Sequence, residues 1–357
     1  ANLEGEGMAN FKVKNGLQAG RYLLSGGTET AGSNVYDLSS ASYDSVSFSV
    51  AGQDSEPTGL AFNSSGTKMY VLGNSTNSVY QHSLSTAFDL STASYDSVSF
   101  SVASQDGTPT SVAFNTDGTK MYVIGLDNDA VFQYSLSTGF DLSTASYGSV
   151  SLDVSGQETN PFGISFNNDG TKLYVAGYAS DSVYQYSLST AFDLSTASYD
   201  SVSFSVSSEV NNPYEITFNA DGTKMYILGD ATDSVYQYSL STAFDLSTAS
   251  YDNLSFSVAG QDSVPFGLSF NSAGTKMYVV GVATDTIYQY STVALTQTLD
   301  LSTGTTFSFT PSGATTVSFT NAPASGKAIG FSVEINGDGS AITWPSSVKW
   351  PSGVAPT

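Results

Sequence analysis

The chain has 357 residues, with 32 acidic against 10 basic side chains and a formal net charge of -22. That balance excludes non-specific binding to nucleic acid or to anionic membrane. With no cysteine there is no disulfide framework and no thiolate chemistry, and no apolar run approaches the ~18 residues of a membrane span, so no membrane insertion is expected.

Residues 1–35 do not repeat. The stretch "FKVKNGLQAGRYLLSGGT" suggests one or two strands around Asn15-Gly16. Met8 reads as a native initiator behind a short scar, or equally as an internal residue of a processed chain.

From residue 36 a unit of 52 residues recurs. Its signature is a Gly-Thr-Lys turn, seen as "SGTKMYVLG", "DGTKMYVIG", "DGTKLYVAG", "DGTKMYILG" and "AGTKMYVVG". The turn glycines are Gly66, Gly118, Gly170, Gly222 and Gly274. Asp-Gly is a strong hairpin signal, because glycine accepts positive φ without steric cost. Each unit divides into four strand-like pieces, such as "SVAFN", "KMYVIG", "AVFQYSL" and "SVSLDV". A Ser/Thr-rich link with "FDLSTASY" joins the third piece to the fourth. In "KMYVIG", Met121 and Val123 share one face and Tyr122 and Ile124 the other. Both faces are apolar, so each sheet needs cover on both sides.

Four short antiparallel strands stacked radially on copies of themselves make a β-propeller. The expected fold is therefore all-β: a five-bladed propeller over residues 36–299, between an attachment segment 1–35 and a small β-rich unit 300–357. The fourth-strand motif also precedes the first copy, as "YDSVSFSV" at residues 43–50. That leading strand is expected beside residues 286–291, closing the ring with no open edge. A shortened relative, "TTFSFT", follows the fifth copy. The terminal unit shows strand patterns at 316–320 and 328–335, turns at "NGDG" and "WPSS", and a core including Trp344 and Trp350.

Signals for chemistry are sparse. His82 is the sole histidine and replaces Tyr134, Tyr186, Tyr238 and Tyr290 in the third strand, where it reads as a packing variant. One histidine without cysteine excludes a histidine-rich metal site, and no nucleophile motif stands beside it. The "NTDG", "NNDG" and "NADG" turns hold too few spaced oxygens for a calcium loop. No metal and no cofactor is expected. Glu209 and Glu215 break the repeat, and Glu215 stands where neighbouring copies have Ser111 and Gly163. Near a blade entrance it reads as a solvent-facing substitution. Lys68, Lys120, Lys172, Lys224 and Lys276 leave the turns with wet ammonium groups, and three have an Asp three residues earlier. Asn77, Asp129, Asp181, Asp233 and Asp285, one before each third strand, are the candidate contact positions for a ligand surface.

These features resemble tailed-phage structural proteins. The 52-residue units resemble propeller repeats of that group. "FKVKNGL" resembles a linker near the start of tail-fibre modules. "ITWPSSVKWPSGVAPT", with Trp344, Pro345, Lys349, Trp350, Pro356 and Thr357, resembles a segment of phage tail and fibre C-terminal domains. Relatives usually continue past this point with another strand. The resemblance implies a virion structural protein, a tail-fibre or surface-appendage component located on the particle, with host adhesion as its task. Partners would be other virion proteins or copies of itself, as a trimer of the terminal segments, and a host surface glycan or protein. A non-viral secreted or surface-bound propeller that binds glycan or protein is the alternative, and a glycan-degrading enzyme a more distant one. The expectation is a non-enzyme.

Overall fold

The computed structural model of the chain describes residues 24–25, 29–31, 35–229, 231–293, 295–302, 306–309, 315–322, 330–336, 342–345 and 348. The features expected at Met8, at Asn15-Gly16, at residues 337–339, at Ala328, and at Lys349, Trp350, Pro356 and Thr357 lie outside these.

Among the described residues, five four-stranded antiparallel sheets form the blades of a β-propeller. Blade 1 runs from axis to rim as Pro57–Phe62, Lys68–Gly73, Ser78–Leu84 and Ala93–Ser101. The inner strands of blades 2 to 5 are Pro109–Phe114, Pro161–Phe166, Pro213–Phe218 and Pro265–Phe270. Each packs on the next, and the fifth packs back on the first. Proline is tolerated where each inner strand begins, because a first residue need not donate to the ladder.

Closure follows the pattern read from the sequence. In blade 5 the outermost strand is Ser42–Ser49, which lies beside Thr286–Ser291. Val50 N–H donates to the Asp285 carbonyl at 2.8 Å, as Val102 does to Asn77. The "TTFSFT" segment is no blade strand. Its Thr306–Phe309 pairs in parallel with Ser332–Ile335 in the terminal sheets.

The Gly-Thr-Lys glycines adopt φ between 66° and 72°. At Gly118 a Cβ would also stand 2.3 Å from the Phe140 ring. Phe140, itself at φ 64°, donates its N–H to the Gly118 carbonyl at 3.0 Å. The turn thus seats the start of the third-to-fourth strand link. That link continues into a 3-10 turn capped by Asp141, whose side chain accepts from Ser143 N–H, and it buries Leu142.

Blades are joined by repeated bonds. Tyr70, Tyr122 and Tyr174 each donate a hydroxyl to the link carbonyl of the next blade, and Tyr278 of blade 5 does the same to Phe88 of blade 1 at 2.6 Å. Gln81 accepts from Leu142 N–H of the next blade at 3.0 Å, and Gln289 accepts from Leu90 across the closure at 3.1 Å. The second strands are buried on both faces, with Met69, Tyr70, Val71 and Leu72 at 0% exposure, as the doubly apolar pattern requires.

The rim strands alternate exposed serines with half-buried Tyr, Val and Phe. Those of blades 1 to 4 carry a bulge: in blade 1, Gln81 pairs with Val98 but His82 with Tyr95, and Ser97 sits at φ 59°. A bulge bends an outer edge away from further pairing.

The chain divides into two compact units, residues 45–290 and a second made of 1–44 with 291–357. In the second, a three-stranded sheet orders Leu24–Ser25, Thr306–Phe309 and Ser332–Ile335. A four-stranded sheet orders Glu29–Ala31, Leu295–Asp300, Thr315–Thr320 and Ile342–Thr343. From Leu295 onward successive strands alternate between the sheets, and each pairs in parallel with the strand two along. Leu299, Phe307, Val317, Phe331 and Val333 form the core, with Trp344 against it. A border at residue 300 falls inside Leu295–Asp300, whose pairing with Glu29–Ala31 joins both chain ends in one unit.

Candidate functional site

The five inner strands meet at the axis, and they meet closely. A Cβ on Gly59 would lie 3.0 Å from Val112 N, and one on Gly267 3.0 Å from the Thr58 carbonyl. At this level the repeat reads Gly59, Ser111, Gly163, Glu215, Gly267. The glycines leave room for one large side chain, and Glu215 takes it.

Glu215 was expected to face solvent, but it is 4% exposed. The inner strand borders the channel, so a side chain at this level is enclosed by the other blades. Ser111 Oγ donates to Glu215 Oε2 at 2.7 Å, linking blade 2 to blade 4 across the axis. Ile216 N–H donates to Oε1 at 3.0 Å. Burial pushes the carboxyl up to about 8, against the pull of the Ser111, Ile216 and Ile164 hydrogen bonds. At pH 7 the group is mainly protonated and neutral.

The upper end, where inner strands begin, is filled asymmetrically. Thr58 and Thr110 of blades 1 and 2 donate hydroxyls to the Pro109 and Phe162 carbonyls, at 3.1 and 2.9 Å. Blades 3 to 5 carry Phe162, Tyr214 and Phe266 instead. Tyr214 and Phe266 stack with centroids 4.2 Å apart and planes 13° apart, and Phe162 lies 4.9 Å from Tyr214.

From Glu215 toward the Gly-Thr-Lys turns runs a cavity of about 270 Å³. Its belt is Leu60, Val112, Ile164, Ile216 and Leu268. One residue further, Ser165, Thr217 and Ser269 stand on the side of blades 3 to 5, and Ala61 and Ala113 on the other. Exposed Thr116 and Asn168 line the lower end, where the cavity meets solvent. No lysine or arginine lines it, and Glu215 is its sole acidic residue.

The candidate contact column sits elsewhere. Asn77, Asp129, Asp181, Asp233 and Asp285 all have φ between 46° and 50°, a left-handed conformation that Asn and Asp tolerate better than most residues. Each carbonyl accepts from a valine N–H at the end of a rim strand. They stand one per blade and half-buried, in separate turns. Asp181 also accepts from Asn212 N–H at 2.9 Å. Burial raises the Asp129 and Asp285 carboxyls, and neighbouring acids add to it.

A second acidic column, not singled out in the sequence, lies beneath these turns. Asp54, Asp106, Glu158 and Asp262 are 2–3% exposed. Asp54 accepts from Glu56, Ser75 and Thr76 N–H, and Glu158 from Asn160, Ala179 and Ser180. The signal was present as an acid recurring every 52 residues, broken by Val210 in the fourth copy. Glu209 takes the place of Gln53, Gln105, Gln157 and Gln261, beside Tyr238.

His82 is fully buried between Phe48 and Tyr95, at 5.4 Å from each ring centroid. Burial pushes its imidazole down to about 4. The lysine ammonium groups are not simply wet. Lys68, Lys172 and Lys224 pair with Asp96, Asp200 and Asp252 on the rim strands, not with the turn acids. Lys120 meets Gly148 at that place and donates to the Phe192 carbonyl instead. Such half-exposed pairs contribute roughly 0–1 kcal/mol each. Among the described residues no group of three or more potential metal ligands occurs.

No protein-family model matches this chain, and no curated protein matches it. Solved structures do match. One is a protein of unknown function from Desulfotomaculum acetoxidans, 14% identical over 63% of this chain and 65% of that one, with TM-score 0.42. Another is a candidate 6-phosphogluconolactonase from Bacteroides uniformis, 14% identical over 63% and 64%, with TM-score 0.39. A third, from Lactobacillus plantarum, is 17% identical over 63% of each chain, with TM-score 0.38. This chain spans just under two thirds of the length of all three, and at this distance none of their names transfers to it.

Proposed function

We propose that the chain is a virion structural component of tail-fibre or surface-appendage type, whose propeller contacts the host surface. The observation that carries this is a closed ring that presents nearly the same turns five times, around an axis with a single enclosed carboxyl. Repeated weak contacts gain strength through multivalency. The serine-faced rim suits a protein that stays in water, and Val35 is the one large apolar side chain exposed among the described residues. Both ends of the propeller segment run into one compact unit, which suits a displayed module. Other virion proteins or further copies of the chain are the partners expected for that unit.

A non-viral surface-binding propeller shares the same geometry and differs in location. A glycosidase is less well supported. Glycoside hydrolysis takes two carboxyl groups about 5–9.5 Å apart, and only Glu215 lines the cavity. Immunogold microscopy of particles from the source material tests the proposal. Label on particle appendages supports it, and label confined to soluble or cell-envelope fractions refutes the virion role.

A further inference from the structure

The lower half of the axial channel has the chemistry of a small binding pocket. Its walls differ. Ser165, Thr217 and Ser269, from three successive blades, line one side, and none of their hydroxyls bonds to another group among the described residues. Ala61 and Ala113 occupy the equivalent places of blades 1 and 2. The three residues on the side of blades 3 to 5 offer hydroxyl donors and acceptors to something that enters.

Charge narrows the class. No cationic side chain lines the cavity, so an anion finds no partner. The buried carboxyl at its inner end is neutral at pH 7, so a cation finds none either. A fully apolar ligand would strip water from the three hydroxyls without replacing it. A cavity of about 270 Å³ has room for one small ring with its substituents.

We propose that this lower channel is a binding pocket for one neutral sugar ring, the terminal residue of a surface glycan. The ring's hydroxyl edge meets Ser165, Thr217 and Ser269, and its C–H face lies toward Ala61 and Ala113. The inference rests on the surface-binding reading above and deepens it.

The test titrates the full chain at pH 7 with D-glucose, D-galactose, D-mannose and N-acetyl-D-glucosamine, followed by saturation-transfer NMR. At least one sugar should bind, in the millimolar range expected of a single shallow site. Thr217→Val, which keeps shape and removes one hydroxyl, should weaken that sugar about tenfold with the thermal midpoint unchanged. Ala61→Leu, which fills the apolar wall, should abolish binding. Silence with all four sugars, or equal affinity in both variants, overturns the pocket. Binding of labelled chain to host cells is measured alongside. Cell binding that persists when the sugars are silent overturns the pocket and leaves the surface reading intact. Sugar binding without cell binding supports the pocket and refutes the surface role.

Discussion

Glu215→Gln is the sharpest perturbation available. The wild-type carboxyl moves from 4.5 unfolded to about 8 in the folded ring. Its folded value is raised, so its contribution is fully present below pH 4.5 and is lost as pH rises through 8. At 1.36 kcal/mol per unit, the loss is about 5 kcal/mol across that window, a large share of a typical net stability of roughly 5–15 kcal/mol. Glutamine does not titrate, so its curve lacks this slope. It has one carbonyl oxygen, however, where glutamate accepts from Ser111 on one oxygen and Ile216 on the other. The NH2 then faces Ser111, whose hydroxyl rotates to accept from it, so the amide reproduces the neutral carboxyl with both neighbours still bonded. The two stability curves should therefore separate as pH rises. The variant should lie within about 1 kcal/mol of the wild type at pH 5 and be stronger by about 4–5 kcal/mol at pH 8.5. Urea denaturation of both proteins at half-unit pH steps measures this, and the wild-type minus variant difference cancels titrations they share. A difference that stays constant from pH 5 to 8.5 would mean the carboxyl ionises normally, and the enclosed axis described here would be wrong.

Three further outcomes are expected. His82→Tyr restores the ring found in the other blades and removes a buried imidazole held down from 6.5 to about 4; the wild type should lose about 3 kcal/mol as pH falls through that window, the variant should not, and parallel acid denaturation curves would contradict this. Gly118→Ala meets both φ 71° and the Phe140 ring, so a left-handed penalty of roughly 1–2 kcal/mol adds to overpacking of roughly 1–3 kcal/mol; an unchanged urea midpoint would show that the turn relaxes freely. Gln289→Leu leaves Leu90 N–H buried without its acceptor across the closure and should cost about 1–3 kcal/mol, which hydrogen exchange at Leu90 should report as faster opening, and unaltered protection there would remove the bond from the account of closure.

What the sequence determined is the part of the structure that repeats. The Gly-Thr-Lys hairpin is local, so Gly118 could be assigned its positive φ from the Asp-Gly signal alone. The doubly apolar second strands required neighbours, and the stray copy at residues 43–50 offered a closing strand. Both inferences use short-range geometry and period counting, which a linear sequence preserves. The residues that set the axis were not legible in that way. Ser111 and Glu215 are 104 residues apart and meet because the ring closes. Gly163 reads as an ordinary strand glycine until Glu215 is seen to pass 2.7 Å from its missing Cβ. Lys172 and Lys224 each follow a turn acid by three residues, yet their partners come from the rim strand 28 residues later, as does that of Lys68, which follows Ser65. Distance from the axis is a property of the closed ring and has no signature in composition or spacing. A glutamate that looked like a surface change therefore became a buried acid on the axis only when five strands were brought within contact of one another.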